Sequence, residues 1–253
     1  MQFLSKIVIV IALFFSSSSF AVDKKYHDDI YPIISAFKDL NKSDISTLII
    51  YPLNRQSPIP SIKNKEELID RFDEVFDIEL IDLIANSDLD KDWRMMGWRG
   101  IMLSNGKLWL NSNGKIKSIN YQTSKDKELK VSLIAKQKQA LHSSISVYVE
   151  PILEWKTAKF HIRIDNVGDS NYRYASWNIG KQTTDKPDLV LFKGQRVFEG
   201  SGGNHHYSFT NGNYIYRCYV NYLGNSKSPP GNLDVFRGKD HLLSDDVVEV
   251  LSR

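Results

Sequence analysis

Tyrosine, tryptophan and arginine residues crowd the second half of the chain, and these residue types dominate protein-binding hot spots. Their aromatic rings can also stack on sugars. They are Tyr172, Tyr174, Trp177, Tyr207, Tyr214, Tyr216, Tyr219 and Tyr222, interleaved with Arg163, Arg173, Arg196 and Arg217. Because side chains alternate between the faces of a strand, the even positions of 214–222 are expected to be buried, with Arg217 and Tyr219 exposed. This pattern predicts a binding surface.

The candidate binding residues lie in two parts of the chain. Those in the second half are Arg173, Trp177, His205, His206, Tyr207, Arg217 and Tyr219, and those in the first half are Arg99 and Trp109. Trp109 alternates with Leu108 and Leu110, so we expect it to face away from a core that the two leucines form.

The glycine-rich segment 200–203 fails the two catalytic motifs that it suggests. A nucleophile elbow around Ser201 requires glycine at position 199, where Glu199 stands. A dinucleotide fingerprint would have His205 in place of its third glycine. No serine lies in an activating motif, and Glu150, Glu154 and Glu199 carry no signal of paired catalytic carboxylates. We therefore expect no catalytic residue and no cofactor, and the balance favours a protein that is not an enzyme.

Three aspartates have the spacing that begins a calcium-binding loop. Asp88, Asp90 and Asp92 would then require glycine at position 93 and a bidentate acid at position 99, but these positions hold Trp93 and Arg99. The run is interpreted as a solvated acidic turn.

A histidine pair is the other potential metal ligand set. His205 and His206 are neighbours on a predicted strand, so they point to opposite faces and do not easily bind one ion, although His241 could join one of them. The expectation is no metal, with one histidine packed and the other exposed, and the sequence leaves the matter open.

The composition limits the class of protein. Of 253 residues, 42% are hydrophobic and 11% aromatic, enough for a buried core, which excludes a wholly disordered chain. The formal net charge of +3 is too small to indicate a nucleic-acid partner. The single cysteine, Cys218, cannot form an intrachain disulfide and is expected to be buried as a small hydrophobic residue.

Residues 1–21 have the features of a cleavable signal peptide. Lys6 precedes an apolar run over residues 7–15, and Ser19 and Ala21 place small residues before a cleavage site after Ala21. The run is too short to span a bilayer, which takes about 20 residues. The sequence therefore predicts a periplasmic or secreted protein without a membrane anchor after cleavage.

Residues 22–123 predict an α+β domain. Apolar residues at helical spacing indicate a helix over 26–40, and a short β-branched run indicates a strand over 46–51. The clearest helix is expected over 64–86, with Asn64 as its N-cap. Strands are then expected over 98–103, 107–111 and 115–121, joined as a three-stranded meander by Asn105-Gly106 and Asn113-Gly114 turns.

The order of these elements, with GIML, NGKLWL and GKIKSIN within residues 98–120, resembles the NTF2-like or cystatin-like folds, in which helices pack on a curved antiparallel sheet. The resemblance covers about 95 residues of the chain. It implies a pocket between helices and sheet, walled here by the 64–86 helix. Such folds host enzymes, ligand binders and toxin-immunity proteins, so the resemblance does not select a function.

Residues 124–145 form a linker or connecting helix in our interpretation. The segment 124–141 is rich in lysine and lacks glycine and proline, which favours a helix, but residues 131–134 could equally open a strand.

Residues 146–253 contain strand-like runs separated by clusters of glycine, asparagine, aspartate and proline, a pattern that is typical of a β-sandwich or barrel. The expected strands are 146–149, 159–165, 172–179, 188–192, 206–210, 214–222, 232–236 and 247–251. Tyr216, two residues before Cys218, resembles the F strand of an immunoglobulin-like domain, and Trp177 would be the core tryptophan. The partner cysteine is absent, since residues 160–164 are FHIRI. This resemblance implies an Ig-like β-sandwich after the α+β domain.

The function expected from these features is an exported, non-enzymatic binding protein with a protein partner, as in a protein inhibitor or a toxin-immunity protein. One alternative is a carbohydrate- or cell-wall-binding or -active protein, for which the partner is a glycan. The other is a small-ligand binder that uses the α+β pocket.

Overall fold

The computed structural model describes residues 24–200, 202–225 and 227–252, so the expected signal peptide lies outside the described residues. The chain divides into two compact units. Within the described residues, the mixed unit comprises residues 24–49 together with Ile78–Asn120, and the barrel unit comprises Ile50–Asp77 together with residues from 121 to 252. We expected a first domain over 22–123 and a sandwich from 146. Instead, a segment from the first half belongs with the second.

The α-helices in the described part of the chain are α1 (His27–Lys38), α2 (Lys42–Thr47), α3 (Lys65–Asp70), α4 (Phe72–Val75), α5 (Ile78–Ala85) and α6 (Ser124–Ala140). The strands there are β1 (Trp93–Met95), β2 (Ile101–Leu103), β3 (Leu108–Leu110), β4 (Ile116–Ile119), β5 (Glu150–Thr157), β6 (Phe160–Gly168), β7 (Asn171–Asn178), β8 (Leu189–Phe198), β9 (His205–Asn211), β10 (Tyr214–Val220), β11 (Gly231–Arg237) and β12 (Asp240–Ser252). None of the described helices is long and apolar enough to cross a membrane.

In the mixed unit, α1 confirms the first predicted helix and packs against α5. The expected strand over 46–51 is wrong, because α2 occupies its beginning. The Asn41 side chain caps α2 by accepting hydrogen bonds from the Ser43 and Asp44 backbone N–H groups, and Ile45 buries its apolar side chain. Helix initiation by this cap outweighs the β-propensity of the short apolar run.

The prediction of a single helix over 64–86 is also wrong. Asn64 is an N-cap as expected, and its side chain accepts a hydrogen bond from the Glu67 N–H. However, the backbone leaves helical geometry at Arg71 and becomes extended at Phe76, which separates α3, α4 and α5. The first two helices belong to the barrel unit and α5 to the mixed unit, so the pocket wall that the resemblance implied is not one element.

The sheet of the mixed unit is an antiparallel meander in the order β1-β2-β3-β4. We expected three strands. The short strand β1 adds a fourth by pairing with β2. The Asn105-Gly106 turn is confirmed, since both residues have positive φ values of 55° and 86°. Helices and an antiparallel sheet therefore form this unit, as the sequence predicts at that coarse level.

The strands β5 to β12 form a closed antiparallel barrel in which each strand pairs with its neighbour in sequence. Pairing of β12 with β5, through Val247 and Thr157, closes it. The expected Ig-like sandwich is not confirmed, because closure joins all eight strands into one cylinder. Seven of the expected strands overlap β6 to β12, with ends that differ by one or two residues or more, but the strand expected over 146–149 is wrong and β5 follows it.

Side chains from alternate positions of the strands fill the barrel. Trp155, Tyr174, Phe209 and Cys218 are fully or almost fully buried inside it, which confirms the expected burial of the cysteine. Val220 lies on the same strand face as Cys218 and is also buried, as expected for the even positions of β10. The expected burial of Tyr214 and Tyr222 is wrong, since they are 37% and 56% exposed at the two ends of the run, and Arg217 and Tyr219 are half-buried instead of exposed. This packed interior holds the strands in place. Side chains at the strand ends lie at the two open ends of the barrel, which we call its mouths.

The outer wall of β5, β6 and β7 is covered rather than exposed. Helix α6 settles the ambiguity of residues 124–141, and the Thr123 side chain caps it by accepting a hydrogen bond from the Asp126 N–H. Gln137 of α6 accepts a hydrogen bond from Arg163 of the wall at 3.2 Å. The linker is therefore part of the barrel unit.

Candidate functional site

A cleft of about 470 Å³ opens at one mouth of the barrel. It lies where β5 and β9 begin and β8 and β10 end, and the segment 55–57 forms another part of its wall. The lining side chains that matter below are Arg55, Ser57, Arg196, His205, Tyr207 and Tyr222. We call this feature the mouth cleft.

The pairing of β8 with β9 places polar and aromatic side chains together at the mouth cleft. Arg196 pairs with Tyr207, and Phe198 pairs with His205. Directly opposed residues of an antiparallel pair lie on the same face, and Tyr207 belongs to the barrel interior. The other three therefore lie on the inner face as well, where the barrel opens.

Aromatic rings lie side by side at the opening of the mouth cleft, where β8 and β10 end and β9 begins. The Arg196 guanidinium lies 4.6 Å from the Phe198 ring centroid, and the His205 ring lies 5.9 Å from that of Phe198. His205 also stacks on Tyr222 at 6.0 Å. Phe198 and Tyr222 remain 60% and 56% exposed. We call these residues, Arg196, Phe198, His205 and Tyr222, the rim.

On the part of the wall that the segment 55–57 forms, Arg55 is held by an ion pair. Its Nη2 donates hydrogen bonds to Asp126 Oδ1 at 2.8 Å and to the Glu74 carbonyl at 3.3 Å. The Arg55 Nε and Nη1 atoms and the Ser57 Oγ atom are buried without a hydrogen-bond partner in the described structure. A buried polar atom normally has such a partner, so these three are unusual.

Burial raises the pKa of Tyr207 to about 12, against the opposing effect of the nearby Arg196. Its hydroxyl therefore stays protonated at neutral pH and can donate a hydrogen bond. The mouth cleft thus contains donors from Arg55 and Tyr207 in addition to the Ser57 hydroxyl.

A second cleft, of about 260 Å³, lies at the opposite end of the barrel, where β6 and β12 begin and β7 ends. Its wall is mainly apolar, with Phe160, Trp177, Leu233 and Leu243 among the lining residues. It lacks the cluster of unpartnered polar atoms that marks the mouth cleft.

Two of the predicted binding residues, Arg173 and Trp177, are buried on the outer wall of β7. Arg173 donates hydrogen bonds to the Ile145 and Val147 carbonyls and pairs with Asp165 at 2.7 Å. Trp177 packs with Ile145 and donates to the Asp185 carbonyl. Both hold the covering segment in place instead of facing a partner.

The structure brings three other predicted residues together on the outer face of β9 and β10. The His206 ring lies 5.0 Å from that of Tyr219, and its Nδ1 lies 2.7 Å from Glu199 Oε1. Arg217 Nη1 lies 3.5 Å from the Tyr219 hydroxyl. His206 is buried there, so the expectation of one exposed histidine is wrong; His205 is buried as well.

The remaining two candidates lie in the mixed unit. Trp109 is half-buried and donates to the Gly106 carbonyl at 3.0 Å, while Leu108 and Leu110 are fully buried, as the alternation predicts. Arg99 is exposed. Neither belongs to the mouth cleft, which the barrel unit forms alone.

Sequence reasoning selected His205 and Tyr207 but missed Arg55, Ser57 and Phe198. The segment 54–60 resembles an ordinary proline-containing loop, and no local pattern indicates that it reaches a barrel mouth. Arg196 and Tyr222 were noted among the aromatic and arginine residues, but their placement depends on strand pairing. The signal that could have found them is the inner-face alternation along β8 and β10.

Among residues 24–200, 202–225 and 227–252, no three His, Cys, Asp or Glu side chains form a group that could hold a metal ion. Asp88 and Asp92 instead accept backbone hydrogen bonds within their own turn. His241 stacks on Phe236.

No protein-family profile, no curated protein and no solved structure matches this chain. The site must therefore be interpreted from its own geometry.

Proposed function

We propose that the protein is an exported, periplasmic or secreted, non-enzymatic binding protein that contacts a protein partner through the rim of the barrel. The observation that carries the proposal is the exposure of Phe198 and Tyr222, whose rings lie against the Arg196 and His205 side chains at the mouth cleft. Large aromatic residues and arginine are the common anchors of protein interfaces. An inhibitor or a toxin-immunity protein would use such a surface.

Site-specific photo-crosslinking tests the proposal. The photoreactive amino acid p-benzoylphenylalanine is placed at position 198, beside the lining residues Arg196 and His205. The matched control is position 192, because Phe192 is also on β8 and is 56% exposed but does not belong to the rim. A discrete protein adduct in extract from the source cells is expected at position 198 alone. Equal crosslinking at both positions would contradict a binding role for the rim.

The second candidate is a glycan or cell-wall ligand, since the exposed rings of Phe198 and Tyr222 could stack on sugars. It predicts retention on peptidoglycan that is lost in Tyr222→Ala and kept in Phe192→Ala. Turnover of that glycan by the purified protein would contradict the non-enzymatic part of the proposal.

Export has its own test. N-terminal sequencing of protein recovered from the periplasm or medium is expected to begin at Val22. An uncleaved N-terminus, or recovery from the cytoplasm alone, would be inconsistent with export by a signal peptide.

A further inference from the structure

The mouth cleft contains an arginine that is fixed in position with part of its donor capacity unused. The Arg55 side chain is only 2% exposed, and Asp126 and the Glu74 carbonyl engage its Nη2 alone. Its Nε and Nη1 carry hydrogens that no described acceptor receives. A buried donor without an acceptor costs free energy, so a ligand oxygen that reaches one of these atoms would be bound favourably.

Ser57 adds a hydroxyl to the same wall. It lies two residues from Arg55, lines the same cleft, and its buried Oγ has no partner in the described structure. Arginine can only donate hydrogen bonds, and the serine hydroxyl can donate as well. An acceptor group with two oxygens can therefore receive one hydrogen bond from the Arg55 guanidinium and one from the Ser57 hydroxyl. The Nε–H and Nη1–H groups lie on different edges of the guanidinium, so one carboxylate takes only one of them.

The charges around the cleft favour a ligand with a single negative charge. Asp126 neutralises Arg55, and Lys130 pairs with Glu150, the acid that lines the cleft. Arg196 then remains as a lining cation with no acidic partner among the described residues. A carboxylate matches this one charge, whereas a phosphate dianion would exceed it.

We infer that the mouth cleft binds a carboxylate, which accepts hydrogen bonds from Arg55 and Ser57 and is attracted by Arg196, while the apolar part of the ligand contacts Phe198 and Tyr222. The inference rests on the proposed function for the choice of this face. The carboxylate has two potential sources, a free small acid or the acidic groups of a polypeptide, and the experiment separates them.

Calorimetry on the purified mature protein uses N-acetylphenylalanine, a short peptide that ends in phenylalanine with a free carboxylate, the amidated form of each, and inorganic phosphate. Each carboxylate form is expected to bind at least about tenfold more tightly than its amide, because hydrogen bonds to a charged group are lost. A peptide that binds more tightly than N-acetylphenylalanine supports a polypeptide source, and equal affinities support a free acid. Equal binding of acid and amide, or preference for phosphate, would overturn the inference.

Variants locate the binding. Arg196→Gln is expected to weaken carboxylate binding about tenfold and Ser57→Ala a few-fold, whereas Arg237→Gln, an exposed arginine at the other end of the barrel, should leave it unchanged. Arg55→Lys keeps the charge but loses the planar donor set, and it is compared only after its melting temperature shows that it folds. Unchanged affinity in both Arg196→Gln and Ser57→Ala would place any binding elsewhere.

The result separates this inference from the proposed function. Crosslinking at position 198 without carboxylate preference would leave the binding role intact and refute the carboxylate site. Carboxylate binding without any crosslinked protein would support the carboxylate site and refute the protein-binding role of the rim.

Discussion

Arg55 and Asp126 form an ion pair of 2.8 Å across 71 residues of sequence, and each side chain is only 2% exposed. Asp126 lies in the first turn of α6, and Thr123, which caps that turn, donates a hydrogen bond to the Glu74 carbonyl at 2.8 Å. Arg55 contacts the same carbonyl. These bonds join the segment 54–61, α4 and α6, which explains why Ile50–Asp77 belongs to the barrel unit.

Breaking this pair is expected to destabilise the barrel unit strongly. Asp126→Asn leaves Arg55 buried without its counter-charge, so the free energy of unfolding should fall by about 3–5 kcal/mol. Urea denaturation measures it. The matched control is Asp73→Asn, which removes the exposed pair with Lys125 and should cost no more than about 1 kcal/mol. Equal effects of the two substitutions would contradict a structural role for the buried pair.

Local patterns predicted those elements whose signals are local. The sequence predicts the helix α1 from its apolar spacing, the Asn105-Gly106 turn, and the burial of Cys218 and Val220 from the alternation along β10. Strand β5 was missed although Leu153 and Trp155 alternate inward, because a proline and glutamates lie among them. Proline and glutamate are depleted in strands.

Long-range pairing could not be predicted in this way. Barrel closure depends on Val247 meeting Thr157, and no local pattern specifies a pairing across that separation. The mouth cleft also depends on a long-range contact, since the ion pair with Asp126, and not any neighbour in sequence, holds Arg55 in its wall. The sequence therefore predicts a binding surface in the β region, but the structure places the predicted residues in three separate parts of the barrel.

On the outer wall, Glu154 pairs with His161 at 2.8 Å and with Arg163 at 2.7 Å, and this cluster should make stability depend on pH in the acid range. Burial opposes ionisation of Glu154, but the hydrogen bond with His161 and the charge of Arg163 outweigh it and lower the pKa of Glu154 below its ordinary value. A lowered folded-state pKa contributes stability above the unfolded value of about 4.3, and this is lost as pH falls through the folded value.

Glu154→Gln should therefore be less stable than the parent at neutral pH, and should lose less further stability between about pH 5 and pH 3. Urea denaturation across this range gives the slope. Glu128→Gln, at an exposed position of α6, serves as the control and should retain the parental slope. An unchanged slope in Glu154→Gln would show that other carboxylates cause the acid sensitivity.

Gly100 is expected to tolerate no side chain. Its φ is +92°, and a Cβ atom would lie 2.1 Å from the Leu110 carbonyl oxygen. Gly97 also has a positive φ, of +61°, but a Cβ there would meet nothing within 4 Å. Gly100→Ala should therefore lower the free energy of unfolding by at least about 2 kcal/mol more than Gly97→Ala, measured by denaturation. Similar losses would mean that backbone strain alone limits both positions.

Cys218 should be unreactive in the folded protein. It is fully buried inside the barrel, and burial, together with the charge of Asp234, raises the pKa of its thiol far above the ordinary value. Because the thiolate is the reactive form, modification by Ellman's reagent should be slower than in denaturant by on the order of a thousandfold or more. Rapid modification of the native protein would contradict the closed barrel.

The control for that measurement places a cysteine on the neighbouring strand. Thr210→Cys in a Cys218→Ala background exposes a thiol on β9 and should react at the rate of a free thiol. The reactivity of the two thiols matters for the expected export of the protein, because an oxidising compartment links exposed thiols of different molecules but not buried ones. Under oxidising conditions the parent should remain free of disulfide-linked dimers while the Thr210→Cys variant forms them, because only burial protects the single cysteine.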